Sequence, residues 1–554
     1  MTQPAVTQPA VTQPAVTQPA VTQPAVTQPA VTRSAAPSGA RETVAEPSPP
    51  RRAPRGSMAS GARWMSVNQV VVQVTRLLVQ VVLAHLLEPR AFGLMTMALV
   101  IVMFLEILRG FGTGMAVVQR DKISERLLSS VFFLNIGLGL VISGLLALLA
   151  PGLASLYGDS ALTPVLQVLG LGLLLASLGD LQQWLLRREM KFGAVAAANI
   201  IGTAANAACS IVLALLGYQV WSLVIGYLVG FGVTTLVAWL QSPWRPRASF
   251  SPAEVRSVLR FSANLSGFSV FNFFLLHGDK VIVGHFLGAQ QLGYYGLAQR
   301  VLMYPVSTVS TAFQEVMFAG LSRLQNDHSA IRRVYFRSCA VAALVCFPVM
   351  AGLTVVARDV VLVVLGARWE RLVPLIWLLA PIGGIQSVSF SVGVLYNVKG
   401  RTDLLLRWGI FSGLLMLGSY FAGLPWGING VAAAYAIVIV LLLPPGFAIP
   451  FSLVDAKPRE LVTAVWPHVV ATAGTVAVMA AVQWLTHGFR LARPVCLLAS
   501  VLAGAATYVV ITWRQRPPAL ADLLQCVRRA SAGSGQPASA SSRRDGALGP
   551  TAHG

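Results

Sequence analysis

The residues of this 554-residue chain that are best placed to do chemistry are ionisable side chains inside long apolar segments. Charges are costly within a bilayer, so such residues are candidate functional residues by default. The basic ones are Arg76, Arg109, Lys280 and Arg300, and the acidic ones are Glu106, Asp180, Asp279 and Glu315. Guanidinium and ammonium groups donate hydrogen bonds to anions. Because the two signs are equal in number, the count alone does not predict a cationic cleft.

Position along the predicted helices separates these side chains. Arg76 lies near the centre of the first apolar segment and has no oppositely charged residue close to it in sequence. Glu106 and Arg109 are three residues apart, so they can pair on one helical face. Lys280 and Arg300 flank one turn at similar depth. This spacing predicts either a shared cationic pocket or two side chains that reach toward the lipid headgroups.

Two neighbours of Lys280 extend the candidate site. Asp279 leaves the helix in a different direction from Lys280, and we expect it to pair with Arg300 or Arg76 across helices. His277 lies about one helical turn before Lys280 and is either a proton carrier or a structural histidine. The predicted binding residues are therefore Arg76, Lys280, Arg300, Asp279 and His277.

About fourteen apolar segments, each near the ~20 residues needed to cross a bilayer, would position these side chains. The sequence therefore predicts an all-α polytopic membrane protein with two pseudo-repeated six-helix lobes and a terminal helix pair. The predicted lobes cover residues 63–248 and 249–452, and the terminal pair covers residues 453–514. Within the second lobe, consecutive segments are predicted at 261–286 and 293–317.

The two ends of the chain have the composition of disordered tails. Residues 1–62 include six copies of Thr-Gln-Pro-Ala-Val, in which proline at every fifth position excludes a regular helix. Residues 515–554 are rich in serine, glycine, alanine and arginine. We predict that both tails lie outside the folded protein.

Composition indicates a membrane protein. Apolar residues make up 55% of the chain, charged residues 11%, and the mean hydropathy is +0.68. A net charge of +21 in a soluble protein would suggest nucleic acid binding, but here Lys and Arg concentrate in alternate short loops and in the tails. The positive-inside rule then predicts that both termini are cytoplasmic, with no nucleic acid partner. The five cysteines form no CxxC pair, so the sequence predicts neither a disulfide framework nor a metal site.

Two turns that lie 200 residues apart are similar in sequence. Residues 86–94 and 286–294 each join an apolar helix end to a polar turn, a glycine and a new apolar helix. Membrane chains built from two similar halves are typical of carriers that open alternately to each side. The repeat therefore favours transport as the broad function.

Several short motifs follow one another in an order that is typical of one family. They are Leu-Glu-Pro-Arg-Ala-Phe-Gly at 87–93, Gly-Phe-Gly-Thr-Gly at 110–114, Gly-Tyr-Gln-Val-Trp at 217–221, Gly-Asp-Lys-Val-Ile-Val-Gly at 278–284, Leu-Gly-Tyr-Tyr at 292–295 and Gly-Ala-Arg-Trp at 366–369. In these motifs, the region from about 65 to 510 resembles the Wzx-type polysaccharide flippases of the multidrug/oligosaccharidyl-lipid/polysaccharide exporter (MOP) superfamily.

The resemblance implies a function, a cargo and a location. The family moves undecaprenyl-diphosphate-linked oligosaccharide repeat units from the inner to the outer leaflet of the bacterial plasma membrane by alternating access. A multi-pass protein of this kind needs no cofactor, and its partners are the lipid-linked oligosaccharide, the bilayer, polysaccharide polymerase and glycosyltransferases. Its cargo carries a diphosphate, so we expect Arg76, Lys280 and Arg300 to hold that group.

Two other functions are compatible with a chain of this composition. A cation-coupled multidrug exporter of the same superfamily would have an acidic, aromatic cleft. A membrane glycosyltransferase or polymerase would need a long outer loop with carboxylates or histidines, and the longest predicted outer loop, 358–371, is short. The sequence also contains no phosphate-binding Gly-Lys loop and no arrangement typical of a catalytic nucleophile, which argues against an enzyme.

Overall fold

The computed structural model describes residues 55–110, 123–321, 327–389 and 391–520. Of residues 55–67, 70, 257–269 and 303–320 it describes the backbone alone. Most of the two predicted disordered tails, 1–62 and 515–554, lies outside the described residues, although the first helix already begins at Arg55.

The described part of the chain is helical throughout and contains no β-strand. Its α-helices are α1 (Arg55–Leu86), α2 (Pro89–Gly110), α3 (Glu125–Leu156), α4 (Leu162–Arg188), α5 (Phe192–Leu215), α6 (Val220–Gln241), α7 (Pro252–Leu321), α8 (His328–Val355), α9 (Ala357–Val360), α10 (Leu372–Ser389), α11 (Val392–Val398), α12 (Thr402–Gly423), α13 (Gly427–Ser452), α14 (Pro458–Gly488) and α15 (Arg493–Gln515). Short 3-10 and π turns occur at Val361–Leu365, Ala367–Trp369 and Leu424–Trp426.

Eleven helical stretches within the described residues are long and apolar enough to cross a membrane. One of them, Thr402–Ser452, comprises both α12 and α13, and Val71–Leu86 in α1 is a shorter apolar helix. Large apolar side chains such as Leu148 and Trp484 are about 80% exposed on the outside of the bundle. Such surfaces are stable in hydrocarbon and unfavourable in water. The prediction of an all-α polytopic membrane protein is confirmed, whereas the count of fourteen helices stays a prediction.

Helix α7 is 70 residues long and bends sharply at Gly288. The backbone of Gly288 has φ 78° and ψ 174°, a conformation that lacks a steric penalty only for glycine. The bend falls between the segments predicted at 261–286 and 293–317. Glycine therefore separates α7 into two arms, with Lys280 on the first and Arg300 on the second.

The two similar turns that the sequence repeats pack directly against each other. A Cβ atom at Gly93 in α2 would overlap the carbonyl oxygen of Ala289, and a Cβ atom at Gly293 in α7 would overlap the carbonyl oxygen of Pro89. Each glycine thus lets the other repeat's backbone approach closely. Positions related by the 200-residue interval meet in reciprocal contact.

Trp369, in the 3-10 turn Ala367–Trp369, also packs against the contact between α2 and α7. Its ring is fully buried and lies edge-on to Phe92 of α2 at 5.3 Å and to Tyr294 of α7 at 5.7 Å between ring centroids. The indole Nε1 donates a hydrogen bond to the carbonyl of Ala84 in α1, at 2.8 Å. A buried indole usually finds such an acceptor, because an unpaired N–H is costly in an apolar core.

Polar contacts between neighbouring elements occur at both ends of the helical bundle. At the repeat-turn end, Arg90 pairs with Asp159 at 3.0 Å and His285 Nδ1 lies 2.6 Å from the carbonyl of Leu156. The opposite end, where Lys and Arg concentrate in the sequence, is called the basic end. There, Ser124 Oγ before α3 donates to Glu254 in the first turn of α7 at 3.2 Å. The start of α8 and the start of α14 also meet at the basic end.

Candidate functional site

A cavity of about 370 Å³ opens among α1, α2, α5, α6 and the second arm of α7. Its wall on α1 has the spacing of one helical face, with Arg76, Val79, Gln80 and Leu83. Opposite them, Arg300 projects from the second arm of α7. The structure therefore brings together two of the three cations that the sequence singled out.

The two guanidinium groups differ in how they are held. Arg300 is partly buried, and its Nη2 donates to Thr96 Oγ1 of α2 at 3.3 Å. Thr96 in turn donates to the carbonyl of Phe92 at 2.7 Å, which fixes the hydroxyl. Arg76 is exposed at the cavity wall, and within the described residues its side chain has no hydrogen-bond or ion-pair partner. The cavity thus contains one oriented guanidinium and one whose donors are available.

Polar side chains of α5 and α6 complete the wall. The polar lining residues Gln80, Thr203, Asn206, Tyr227 and Thr234 are not among the binding residues predicted from the sequence. A signal was present, because Thr203 and Asn206 on α5, and Tyr227 and Thr234 on α6, recur at helical spacing within otherwise apolar segments. Hydroxyl, amide and phenol groups of this kind can hydrogen-bond to sugars.

The charge of the cavity is positive. Its described lining residues include two arginines and no Asp or Glu. Within hydrocarbon the effective dielectric constant is low, so the guanidinium of Arg76, which has no ion-pair partner within the described residues, attracts anions more strongly than it would in water. The arrangement can bind an anionic group such as a phosphate through charge-assisted hydrogen bonds.

Lys280 does not line this cavity, which corrects the expectation of a pocket formed by all three cations. Its Nζ lies 3.6 Å from Asp279 Oδ1 and 3.5 Å from His277 Nδ1, within the first arm of α7. The bend at Gly288 separates this arm from Arg300. In the same arm, Gly278 packs against Leu417 of α12.

Asp279 also has partners other than those expected. It is 3% exposed, and besides Lys280 it accepts a hydrogen bond from Gln299 Nε2 at 2.6 Å. Gln299 lies 2.9 Å from the hydroxyl of Tyr295 as well. The predicted pairing of Asp279 with Arg76 or Arg300 is not the contact that the structure shows. His277, Asp279 and Lys280 instead form a separate cluster, which we call the α7 cluster.

Arg109 is an ion-paired structural residue. Its Nη1 lies 2.7 Å from Asp180 Oδ2, and its Nη2 lies 3.8 Å from Glu106 Oε1. The Arg109 side chain is only 3% exposed, and Nη1 also lies 3.4 Å from Ser177 Oγ. The predicted pair with Glu106 is confirmed, with Asp180 of α4 as a second carboxylate. Within the described residues, no group of three or more His, Cys, Asp or Glu side chains could hold a metal ion.

Solved structures of similar architecture place the chain in one fold class. The lipid II flippase MurJ, in an inward closed conformation, has a TM-score of 0.66 at 15% identity, covering 82% of this chain and 98% of that one. An inward-facing multidrug resistance MATE family transporter has a TM-score of 0.55 at 16% identity, covering 71% of this chain and 98% of that one. The chain therefore has the same fold as these two transporters.

Within that fold class, the chain belongs to the polysaccharide biosynthesis protein family, because a sequence model of that family matches residues 82–374. It is 27% identical to the lipopolysaccharide biosynthesis protein WzxC of Escherichia coli, over 74% of this chain and 85% of that protein. It is 25% identical to the teichuronic acid biosynthesis protein TuaB of Bacillus subtilis, over 84% of this chain and 97% of that protein. The resemblance to polysaccharide flippases is confirmed.

Proposed function

We propose that this protein flips undecaprenyl-diphosphate-linked oligosaccharides from the cytoplasmic to the outer leaflet during surface polysaccharide biosynthesis. Its family membership and its similarity to WzxC and TuaB support the pathway. The MOP-superfamily fold, shared with a lipid II flippase, supports a transporter rather than an enzyme. Its location in this proposal is the bacterial plasma membrane.

The observation that carries the proposal is the cavity lined by Arg76 and Arg300 without a described carboxylate. The cargo has an anionic diphosphate that cannot cross hydrocarbon unaided, whereas its lipid tail can stay in the bilayer. Arginine suits the diphosphate, because its planar fork donates two parallel hydrogen bonds to phosphate oxygens. Gln80, Asn206 and Thr234 would contact the sugar.

The movement would be a rocking of two lobes, 63–248 and 249–452, with 453–514 as an appended helix pair. The reciprocal contact of Gly93 and Gly293 supports this, because it joins equivalent turns of the two halves at the repeat-turn end. Opening there and closing at the opposite end would expose the cavity to the other side of the membrane.

We infer from the positive-inside rule that the basic end faces the cytoplasm. The tails, 1–62 and 515–554, would then both be cytoplasmic. The closed repeat-turn end would lie toward the outer face, so the cavity would accept cargo from the leaflet in which it is assembled. Polysaccharide polymerase and glycosyltransferases are the protein partners that this position suggests.

In this proposal, the α7 cluster stabilises α7 beside its bend. Lys280 compensates the charge of Asp279 before the bend of α7, and His277 Nδ1 lies 3.5 Å from the Lys280 ammonium. This would preserve the orientation of the second arm, which carries Arg300. Cargo contact by Lys280, Asp279 or His277 would require the cavity to extend toward α12 during transport.

The test is replacement of Arg76 and Arg300 in a strain that lacks the chromosomal gene. Arg76→Ala or Arg300→Ala should lower surface polysaccharide roughly tenfold or more, since each charge-assisted hydrogen bond is worth about 1.5–3 kcal/mol. Arg76→Lys keeps the charge but loses the planar guanidinium that donates two parallel hydrogen bonds. Surface polysaccharide should therefore fall less than in Arg76→Ala. Surface polymer and the amount of protein in the membrane are both measured.

Arg371→Ala is the matched control, because Arg371 is exposed and does not line the cavity. Normal polymer in both cavity variants, at normal protein levels, would refute the assignment of the diphosphate site. A cation-coupled drug exporter would behave differently, because its efflux of cationic drugs would survive removal of either arginine.

A further inference from the structure

A second pocket, of about 920 Å³, lies at the basic end between the start of α8, the start of α14 and the residues after α15. It shares no lining residue with the cavity of Arg76 and Arg300. Its volume is within the range of about 300–1,000 Å³ that is usual for small-molecule sites. We call it the basic-end pocket.

The rim of the basic-end pocket is strongly cationic. Its basic residues are Arg332, Arg333 and Arg337 on α8, with Lys457 and Arg459 at the start of α14. Glu460 is the one acidic residue among the described lining residues, and each of its carboxylate oxygens interacts with another lining residue. Its Oε1 accepts a hydrogen bond from the backbone N–H of Lys457 at 3.1 Å, and its Oε2 lies 3.9 Å from Arg332 Nε.

Two of these cations are available to a ligand. Arg333 and Arg459 are exposed, and neither has an ion-pair partner in the part of the chain that the structure describes. Arg332, in contrast, is held in place, because its Nη1 donates to the carbonyl of Asp455 at 2.7 Å. The lining thus has five basic side chains and one carboxylate, an excess of positive charge that an anion would stabilise.

The floor of the basic-end pocket is apolar. Phe336 and Ala340 of α8 are each 7% exposed, and Ala519 beyond α15 is 2% exposed. Beside the pocket, Val462 and Trp466 of α14 are each 58% exposed on the outer surface of the bundle. An exposed tryptophan at a helix end is typical of the headgroup level of a membrane. A ligand that fits must therefore be anionic at one end and apolar at the other.

We propose that the basic-end pocket binds an anionic phospholipid of the cytoplasmic leaflet. Arg333 and Arg459 contact its phosphate, and its acyl chains lie along the outer face of α14 and cover Val462 and Trp466. A free phosphate would leave these apolar side chains uncovered, which is unfavourable where water reaches them. Basic pockets between membrane helices on the cytoplasmic side are suited to such headgroups. The bound lipid would link the terminal helix pair to α8.

The experiment measures phospholipid binding to the purified full-length protein in detergent by native mass spectrometry. Phosphatidylglycerol is titrated, with phosphatidylcholine as the zwitterionic comparison and undecaprenyl phosphate as the comparison for a cargo-like lipid. Each basic residue at a lipid surface contributes about fivefold in affinity, so R333A/R459A should bind phosphatidylglycerol on the order of 30-fold more weakly. Thr463→Trp, which fills the pocket without changing charge, should also weaken binding.

R247A/R256A is the matched control, since Arg247 and Arg256 are exposed at the basic end and line neither cavity. It removes the same charge and should leave binding unchanged. The proposal fails if R333A/R459A binds phosphatidylglycerol like the wild type, or if the control loses as much affinity. It also fails if phosphatidylcholine binds equally well, or if the pocket variants lose undecaprenyl phosphate and retain phosphatidylglycerol. None of these readouts depends on transport.

Discussion

At the residue scale, three arginines within the membrane-spanning bundle differ in what lies opposite them. Arg109 faces the carboxylates of Asp180 and Glu106, so its charge is neutralised inside the protein. Arg76 and Arg300 face a cavity whose described lining has no carboxylate. A paired guanidinium mainly orients its neighbours, whereas the guanidinium of Arg76, which has no ion-pair partner within the described residues, retains attraction for an external anion.

Pairing within one helix could be predicted from the sequence, as for Glu106 and Arg109, but pairing between helices could not. Arg76 was singled out because no acid lies near it in sequence, and the structure places it at the cavity. Asp279 was expected to reach Arg76 or Arg300, yet its nearest cation is Lys280, the next residue. Which face of a helix meets which neighbour depends on tertiary packing, and the order of residues within one helix does not determine it.

Replacing Lys280 should show how strongly the stability of the protein depends on charge compensation within the α7 cluster. Lys280→Ala leaves the 3% exposed carboxylate of Asp279 without its cation. Breaking a buried pair in this way costs about 3 kcal/mol or more, so the melting temperature in detergent should fall. Adding Asp279→Asn should restore most of the loss, because the buried charge is then gone. Equal melting of the single and double variants would contradict a compensating role.

At the element scale, helix positions followed from the apolar runs. Backbone polar groups must be satisfied within hydrocarbon, so long apolar segments become helices. The break between the segments predicted at 261–286 and 293–317 falls at Gly288, as the turn residues there suggested. The approach of α2 to α7 was not predicted, although the repeated glycines that permit it were noted. Repeat similarity reveals equivalent positions but does not say that they touch.

The contact between α2 and α7 should not tolerate a methyl group. Gly93→Ala places a Cβ against the carbonyl oxygen of Ala289, a backbone atom that cannot rotate away. Overpacking of this kind costs roughly 1–3 kcal/mol, so thermal stability in detergent should fall. Gly232→Ala in α6 is the control, because nothing lies within 4 Å of its new Cβ and alanine favours a helix. If the two variants melted alike, the close approach would not matter for stability.

At the scale of the whole molecule, the two predicted lobes are joined at the repeat-turn end by contacts of different kinds. Gly93 and Gly293 supply backbone approach, and Trp369 adds rings and a hydrogen bond. His285 of the second predicted lobe also reaches the carbonyl of Leu156 in the first. Alternating access requires these contacts to separate in each cycle, because cargo must leave on the side that they close.

A reversible cross-link between Leu156 and His285 tests that requirement. In a background with the five native cysteines replaced, Leu156→Cys and His285→Cys would be joined by a short bifunctional thiol reagent. Both positions are exposed and adjacent, so cross-linking should be efficient. Surface polysaccharide synthesis should stop and should resume after reduction. The same reagent on Arg90→Cys and Asp159→Cys, which ties two positions within the first predicted lobe, should leave synthesis intact. Undiminished synthesis with the Leu156–His285 pair fully cross-linked would mean that the halves do not part here, and the rocking mechanism would have to be abandoned.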